Sequence, residues 1–361
     1  MEKINQIIVF IKKHHLAIGV VSVILIGYLV SLIPRPGTRP FISTTPILPE
    51  TTPTPFVAET YTQRFSSERY IKVSDQQQIF ALNKNKQLVQ YLGEEPFPIT
   101  PAGLPVVDYQ TRGGSIIFET GTYADPDNAF YLLNLTNKLQ VKLDTNPYKP
   151  IIGYNLNPSE NRLAFLGKYD AKKNNVNLYL YDLSAHTAIS LAQEITANSL
   201  YWLNDNYLLV NSKIDGVSGP DFFISLFSVR ENVFTIKNVP AQERSTTFDS
   251  IKNLLYFVNS SNNMITSFNL STAVFTDILK LSNLPTDMFL KADGSLVLLT
   301  KDDAGLVIRN INPVQKITIK EVSLNLDADQ VYIEHFESGV NHFIKIYDQK
   351  DKRYIVKYLP L

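Results

Sequence analysis

Two histidines and a glutamate near the C-terminus come closest, by type and spacing, to a metal site. They lie in Val331-Tyr-Ile-Glu-His-Phe-Glu-Ser-Gly-Val-Asn-His-Phe-Ile-Lys345. If Ser338 and Gly339 form a two-residue turn, Glu337 pairs with Val340 and His335 falls opposite His342. Side chains at 335, 337 and 342 then share one face of the hairpin. Two imidazoles and a carboxylate on one face are a donor set for a divalent transition metal. The competing account is a cross-strand polar pair at a blade end.

The other chemistry-bearing groups are weaker. Ser218, in Gly216-Val-Ser-Gly219, lacks the Gly-x-Ser-x-Gly spacing of a nucleophile elbow and reads as a Gly/Ser loop. Asp125, Asp127 and Asn128 form one acidic group and Asp302 and Asp303 another, neither with the spacing of a twelve-residue calcium loop. Both read as solvated turns, because Asp and Asn are favoured there for backbone reasons. Lys172 and Lys173 mark a polar hairpin tip, and His14 and His15 read as polar anchors beside an apolar run. Asn134, Asn259 and Asn269 begin Asn-x-Ser/Thr triplets but coincide with turns. No catalytic motif and no phosphate-cradling Gly-rich loop is present, so no enzyme activity and no cofactor are expected.

Composition narrows the classes further. Of 361 residues 44% are hydrophobic, enough to build a large core, and cysteine is absent. Disulfides, thiolate nucleophiles and zinc-thiolate sites are therefore excluded. Formal net charge is +0, yet Lys3, Lys12, Lys13, Arg35 and Arg39 against Glu2 leave the first 40 residues at +4. The remainder is then mildly acidic, and nucleic acid is not an expected partner.

Leu16 to Ile33 is an uncharged apolar run of 18 residues. At about 1.5 Å per residue it covers roughly 27 Å, close to the hydrocarbon thickness of a bilayer. Lys12 and Lys13 precede it, which favours a cytoplasmic N-terminus. No small-x-small cleavage site follows, so a retained single-pass anchor is expected rather than a cleaved signal peptide. Residues 34–59 hold seven prolines among many threonines and read as a stalk. The expected organisation is a basic cytoplasmic segment (1–15), a transmembrane helix (16–33), the stalk (34–59) and an extracytoplasmic domain (60–361).

What must position any site in that domain is a repeat. One strand type recurs as Gln78–Leu82, Ser115–Phe118, Arg162–Leu166, Tyr207–Val210, Leu254–Val258, Ser295–Leu299 and Gln330–Ile333. Matching positions from Ile79 to Val331 average 42 residues apart, the period of four-stranded propeller blades. A second strand follows, ending in Asp or Asn and a turn, as at Phe130–Asn134, Leu178–Asp182 and Ile265–Asn269. The same strand type is read at Phe343–Asp348, and a third strand comes next in each unit. The expected fold is an all-β, seven-bladed β-propeller of four-stranded antiparallel blades, with a β-sandwich pair as the alternative. Its last strand could be Arg353–Tyr358, or an early strand near Tyr61–Ser66 could be added to the final blade.

Asn157-Pro-Ser-Glu-Asn-Arg-Leu-Ala-Phe165, followed by Leu178-Tyr-Leu-Tyr-Asp-Leu183, resembles the WD40-like repeat of TolB-type bacterial propellers. The usual form there is Ser-Pro-Asp-Gly-x-x-Leu-Ala-Phe and then a strand ending Asp-Leu. Ala292-Asp-Gly-Ser-Leu-Val297 is a partial copy, the turn Gly is replaced in most units, and no Trp-Asp pair occurs. The resemblance implies a propeller and a protein-binding or envelope role. The expected function is a non-enzymatic binding or scaffolding module of the cell envelope, tethered to the bilayer, whose partner is another envelope protein or a polymer. The alternative is a propeller enzyme acting on envelope glycans or peptides through acidic residues at the channel mouth.

Overall fold

The computed structural model describes residues 62–65, 71–73, 78–92, 95–121, 128–216, 219–303, 305–338 and 341–359. The expected cytoplasmic segment, transmembrane helix and stalk lie outside these residues. Among the described residues no helix is long and apolar enough to cross a membrane.

Alternating apolar runs and turns build strands throughout. After β1 (Thr62–Phe65), the first blade holds β2 (Lys72–Val73), β3 (Ile79–Leu82), β4 (Leu88–Leu92) and β5 (Glu95–Pro98). The second holds β6 (Val106–Arg112), β7 (Ser115–Thr120), β8 (Ala129–Asn134) and β9 (Gln140–Leu143). The third holds β10 (Gly153–Leu156), β11 (Arg162–Asp170), β12 (Asn175–Asp182) and β13 (Thr187–Ile195). The fourth is β14 (Ser199–Asn204), β15 (Tyr207–Gly216), β16 (Gly219–Ser228) and β17 (Val233–Pro240). The fifth is β18 (Thr246–Asp249), β19 (Leu254–Asn259), β20 (Met264–Asn269) and β21 (Val274–Lys280). The sixth is β22 (Asp287–Leu290), β23 (Leu296–Lys301), β24 (Gly305–Asn312) and β25 (Ile317–Asn325). The last is β26 (Gln330–Ser338), β27 (Asn341–Asp348) and β28 (Arg353–Leu359).

These make seven four-stranded antiparallel sheets, each with its first strand innermost. In the seventh the order is β26-β27-β28-β1, so the outermost strand comes from the other end of the domain. Thr62 pairs with Lys357 and Phe65 with Tyr354. The innermost strand β2 lies against both β6 and β26, which closes the ring. Of the two closures the sequence allows, the early strand is the one used.

The seven-bladed expectation stands, with one correction. Six of the recurring strands are the second strands of their blades, but Gln330–Ile333 belongs to β26, an innermost strand. Phe343–Asp348 is then the second strand of its blade, whereas Phe130–Asn134, Leu178–Asp182 and Ile265–Asn269, read as the same strand type, are the third strands of theirs. Because β1 supplies the outer strand, the C-terminal stretch has only three strands, and an alignment by apolar profile slips by one.

Blades are apolar on both faces because each packs against two neighbours. The buried side chains accordingly form clusters that straddle seams. Phe80, Tyr109 and Phe118 join the first and second blades, and Phe165 and Tyr179 meet Phe130 and Ile117 between the second and third. Trp202 sits among Leu166, Leu178 and Leu200 between the third and fourth. The seam where the chain's ends meet holds the smallest cluster among the described residues: Ile71, Ala81, Val89 and Val356.

The turn after the third strand is built the same way in several blades. Thr136 N–H donates to Asn134 Oδ1 at 2.9 Å, Ser184 N–H to Asp182 Oδ1 at 2.9 Å, and Ser271 N–H to Asn269 Oδ1 at 2.8 Å. These Asx side chains close the hairpins as their sequence positions imply. Four residues past each one the backbone turns left-handed, at Lys138 (φ 58), His186 (φ 54) and Ala273 (φ 55). None of these is glycine, so each carries the Cβ cost of that region. Ala273→Gly is expected to stabilise the domain by about 1 kcal/mol, read as a higher urea midpoint at unchanged slope.

Candidate functional site

The inner wall of the ring is made by the first strands, and their alternation decides what faces the channel. In β6, Tyr109 turns into the seam, where its hydroxyl donates to Phe80 O at 2.8 Å. Asp108 and Gln110, on either side of it, face a cavity of about 570 Å³. Pairing between β6 and β7 shifts between Val106 and Asp108, after which Asp108 stands directly across from Glu119. Bulges re-aim side chains in this way. The result is a cross-strand pair of carboxylates on the cavity wall.

Neighbouring blades hold each acid differently. Lys72 Nζ, from the first blade, lies 3.4 Å from Asp108 Oδ1 and also donates to Tyr109 O. Tyr154, from the third blade, offers its hydroxyl to Asp108 Oδ2 at 3.4 Å. Glu119 is 4% exposed and accepts a short hydrogen bond from the Asn128 amide. Burial pushes the Glu119 carboxyl up to about 7; the Asn128 bond opposes this and the Asp108 charge adds to it. Burial, reinforced by Asp108 and Glu119, also pushes the Tyr154 hydroxyl well above its ordinary range.

A chain of amides continues the wall across three blades. Gln110 Nε2 donates to Tyr154 O at 2.6 Å, and Asn155 Nδ2 donates to Gln110 Oε1 at 2.7 Å. The Trp202 backbone N–H donates to Asn155 Oδ1 at 3.1 Å, and its indole N–H to Asn155 O at 2.9 Å. Beyond it lies a second cavity of about 600 Å³, lined in part by Phe222, Phe248, Lys213 and Arg244. Both cavities share Asn198, Ser199, Tyr201 and Glu334. Tyr201 is 49% exposed there, and Glu334 is held by Lys345 Nζ at 2.5 Å.

The histidines lie at the seam of the sixth and seventh blades. The hairpin register differs from the expected one: Glu337 pairs with His342 and Ser338 with Asn341. That is a shift of two residues, which preserves the face, whereas a shift of one would have reversed it. His335 Nε2 lies 3.2 Å from His342 Nδ1, so the two rings share one hydrogen bond. Phe289 stacks on both, at 3.7 Å from the His335 ring and 4.5 Å from the His342 ring. Burial drives His335 down to about 3, with His342 adding; it drives His342 down to about 4, with Lys291 adding. Beside them Tyr332 donates a short hydrogen bond to Asp287, whose carboxyl burial raises to about 6 against that bond and Arg244. Among the described residues no three His, Cys, Asp or Glu side chains are placed to hold a metal ion. The Glu337 side chain lies outside them.

The remaining candidates separate cleanly. Asp125, Asp127 and Ser218 lie outside the described residues. Asn128 is no solvated turn residue: it is 2% exposed, because its amide is drawn inward by Glu119. Asp302 and Asp303 are exposed, and Asp302 Oδ1 accepts Gly305 N–H at 2.7 Å in a turn. Lys172 and Lys173 are exposed at a hairpin tip, as expected. The channel residues Lys72, Asp108, Glu119, Tyr201 and Glu334 are not evident from motifs. One signal was available for Glu119, a carboxylate closing the otherwise apolar run Ser115-Ile-Ile-Phe118.

No family model matches the chain, and no curated protein does. Solved structures do. The WD40 domain of Neurospora crassa Pan2 superposes with a TM-score of 0.54 at 9% identity, covering 81% of this chain and 89% of that one. Dipeptidyl peptidase 4 of Porphyromonas gingivalis gives 0.51 at 13%, covering 80% of this chain and 53% of that one. A prolyl endopeptidase structure gives 0.56 at 11%, covering 82% and 50%. The chain thus spans about half the length of the two peptidases. At these identities the likeness shows the propeller fold alone, a fold common to unlike functions.

Proposed function

We propose that this chain is a binding propeller, held to the cell membrane by its N-terminal apolar run and displaying its channel outside the cytoplasm to an envelope protein or polymer. The observation that supports it most is the pair of cavities meeting at Tyr201 and Glu334. An exposed aromatic ring between polar, hydrogen-bonding walls is the composition of a recognition site. Asp108, held by Lys72, Glu334, held by Lys345, and the buried Glu119 carboxyl give the first cavity oxygens that favour a partner presenting hydrogen-bond-donating groups. A photo-crosslinking residue in place of Tyr201, in the full chain expressed in cells, is expected to capture one recurring partner. The same residue in place of Ile251, 89% exposed on the turn between β18 and β19 and lining neither cavity, is expected not to. Equal capture from both positions would overturn this reading.

A second reading is favoured by one specific feature. Asp108 and Glu119 are neighbouring carboxylates in unlike environments, the arrangement by which acid and base roles are divided in hydrolytic sites. It makes the chain an enzyme acting on envelope glycans or peptides. Turnover of such a substrate by the purified domain, abolished in Glu119→Gln, would establish it in place of the binding role.

A further inference from the structure

We propose that the channel wall is an oligosaccharide site, whose joined cavities take a chain of neutral, hydroxyl-bearing sugar rings with one ring stacked on Tyr201. This rests on the reading of the channel as a recognition site and narrows its occupant from protein or polymer to glycan. Three features of the wall carry it: an exposed aromatic ring, a row of oriented amides, and carboxylates that already have their cations.

The alternation of β14 places the ring. Leu200 and Trp202, on either side of Tyr201, are buried in the seam between the third and fourth blades, and Tyr201 stays half exposed on the opposite face. It lines both cavities and so stands where they join. An aromatic face with a polar tip suits a sugar ring, whose C–H groups are apolar and whose rim carries hydroxyls.

The amides are oriented before any ligand arrives. Asn155 Oδ1 accepts the Trp202 backbone N–H while Asn155 Nδ2 donates to Gln110 Oε1, which turns Gln110 Nε2 toward Tyr154 O. Each amide group carries two N–H donors and two lone pairs, and this chain engages one of each. The wall thus presents a fixed alternation of donors and acceptors across β6, β10 and β14. Hydroxyls match it because they do both. Orientation in advance also lowers the ordering cost of binding.

The carboxylates favour the same ligand. The Asp108 and Glu334 side chains are 33% and 39% exposed, with Lys72 at 3.4 Å from the first and Lys345 at 2.5 Å from the second. A cationic side chain brought in by a protein would compete with those lysines. A sugar hydroxyl would not, since a carboxylate has about four acceptor positions and can take a hydroxyl proton beside its cation. The two cavities, of about 570 and 600 Å³, each lie in the range of small-ligand sites. Joined, they suit a chain of rings better than a single one.

The test is calorimetric titration of the full chain with tetra-N-acetylchitotetraose, cellotetraose and maltotetraose, with tetra-alanine as the peptide control. At least one saccharide is expected to bind with a millimolar or tighter Kd. Tyr201→Ala is expected to weaken it about tenfold or more, and Tyr201→Phe, which keeps the ring, by less than about threefold. Trp202 is the one tryptophan and its indole N–H donates to Asn155 O, so its single indole resonance is expected to shift as the saccharide saturates. Failure of all three saccharides to bind, binding unchanged in Tyr201→Ala, or tetra-alanine binding as tightly as the best saccharide would overturn the proposal. Photo-crosslinking at Tyr201 separates this failure from that of the recognition site itself. A recurring protein captured there without saccharide binding leaves the channel a protein site, and neither result leaves no recognition site at all.

Discussion

Glu119→Gln is expected to raise the domain's stability by about 3 kcal/mol at pH 8 and by about 1 kcal/mol at pH 5. The native carboxyl is pushed up to about 7 from a model-compound value of 4.5. Between those values the folded chain keeps a proton that the unfolded chain has lost. Stability from this group is thus complete below about pH 4.5, falls as pH rises, and is lost once pH passes through 7. Glutamine stays neutral throughout and retains an amide oxygen for the Asn128 N–H. Urea unfolding at the two pH values reads the difference directly, and a stability gain that does not change with pH would show that Glu119 is ionised in the folded chain. The size of the effect follows from a 4% exposed carboxyl with one amide partner. It also explains why the residue reads as a site: such a group costs stability at neutral pH, and cost of that kind concentrates where side chains serve something other than the fold.

Trp202→Ala is expected to cost about 4 kcal/mol, the range for truncating a large buried aromatic. The indole is 4% exposed and fills the seam between the third and fourth blades against Leu166, Leu178 and Val210. Its N–H to Asn155 O, at 2.9 Å, also fixes the strand that carries Tyr154 and the amide chain along the channel wall. Trp202→Phe keeps most of the packing and loses this bond, so a cost of about 2 kcal/mol is expected. Circular dichroism is the suitable readout, because Trp202 is the protein's one tryptophan and its removal abolishes the indole fluorescence. A loss of under about 1 kcal/mol for the alanine variant would mean that the seam collapses around the gap.

The propeller is legible in the sequence because a blade is a local unit. Its third and fourth strands meet through an Asx turn, so Asn134, Asp182 and Asn269 carry the fold in a few residues each. Ring closure is not local. Thr62 pairs with Lys357, nearly the whole domain away, and nothing in either segment specifies the other. That is why the last blade is read one strand out of step. The channel is hidden for a related reason. Asp108, Tyr154, Tyr201 and Glu334 come from four blades and acquire a common cavity only when the ring assembles. The histidine hairpin falls between these cases: the pleat correctly puts His335 and His342 on one face, while the turn position was off by one residue.

β1 completes the seventh blade from the other end of the domain, and the absence of cysteine makes that closure directly measurable. Paired residues on antiparallel strands lie about 4.5–5.5 Å apart at Cα, within the reach of a disulfide. In the double variant Thr62→Cys, Lys357→Cys, oxidation is expected to protect both thiols from maleimide in the monomeric chain until a reductant is added. The pair Thr62→Cys, Gln193→Cys, which places the second thiol on the outer strand of the third blade, is expected to stay reactive. Free thiols in the first variant, or a bond in the second, would contradict the ring and the channel site with it.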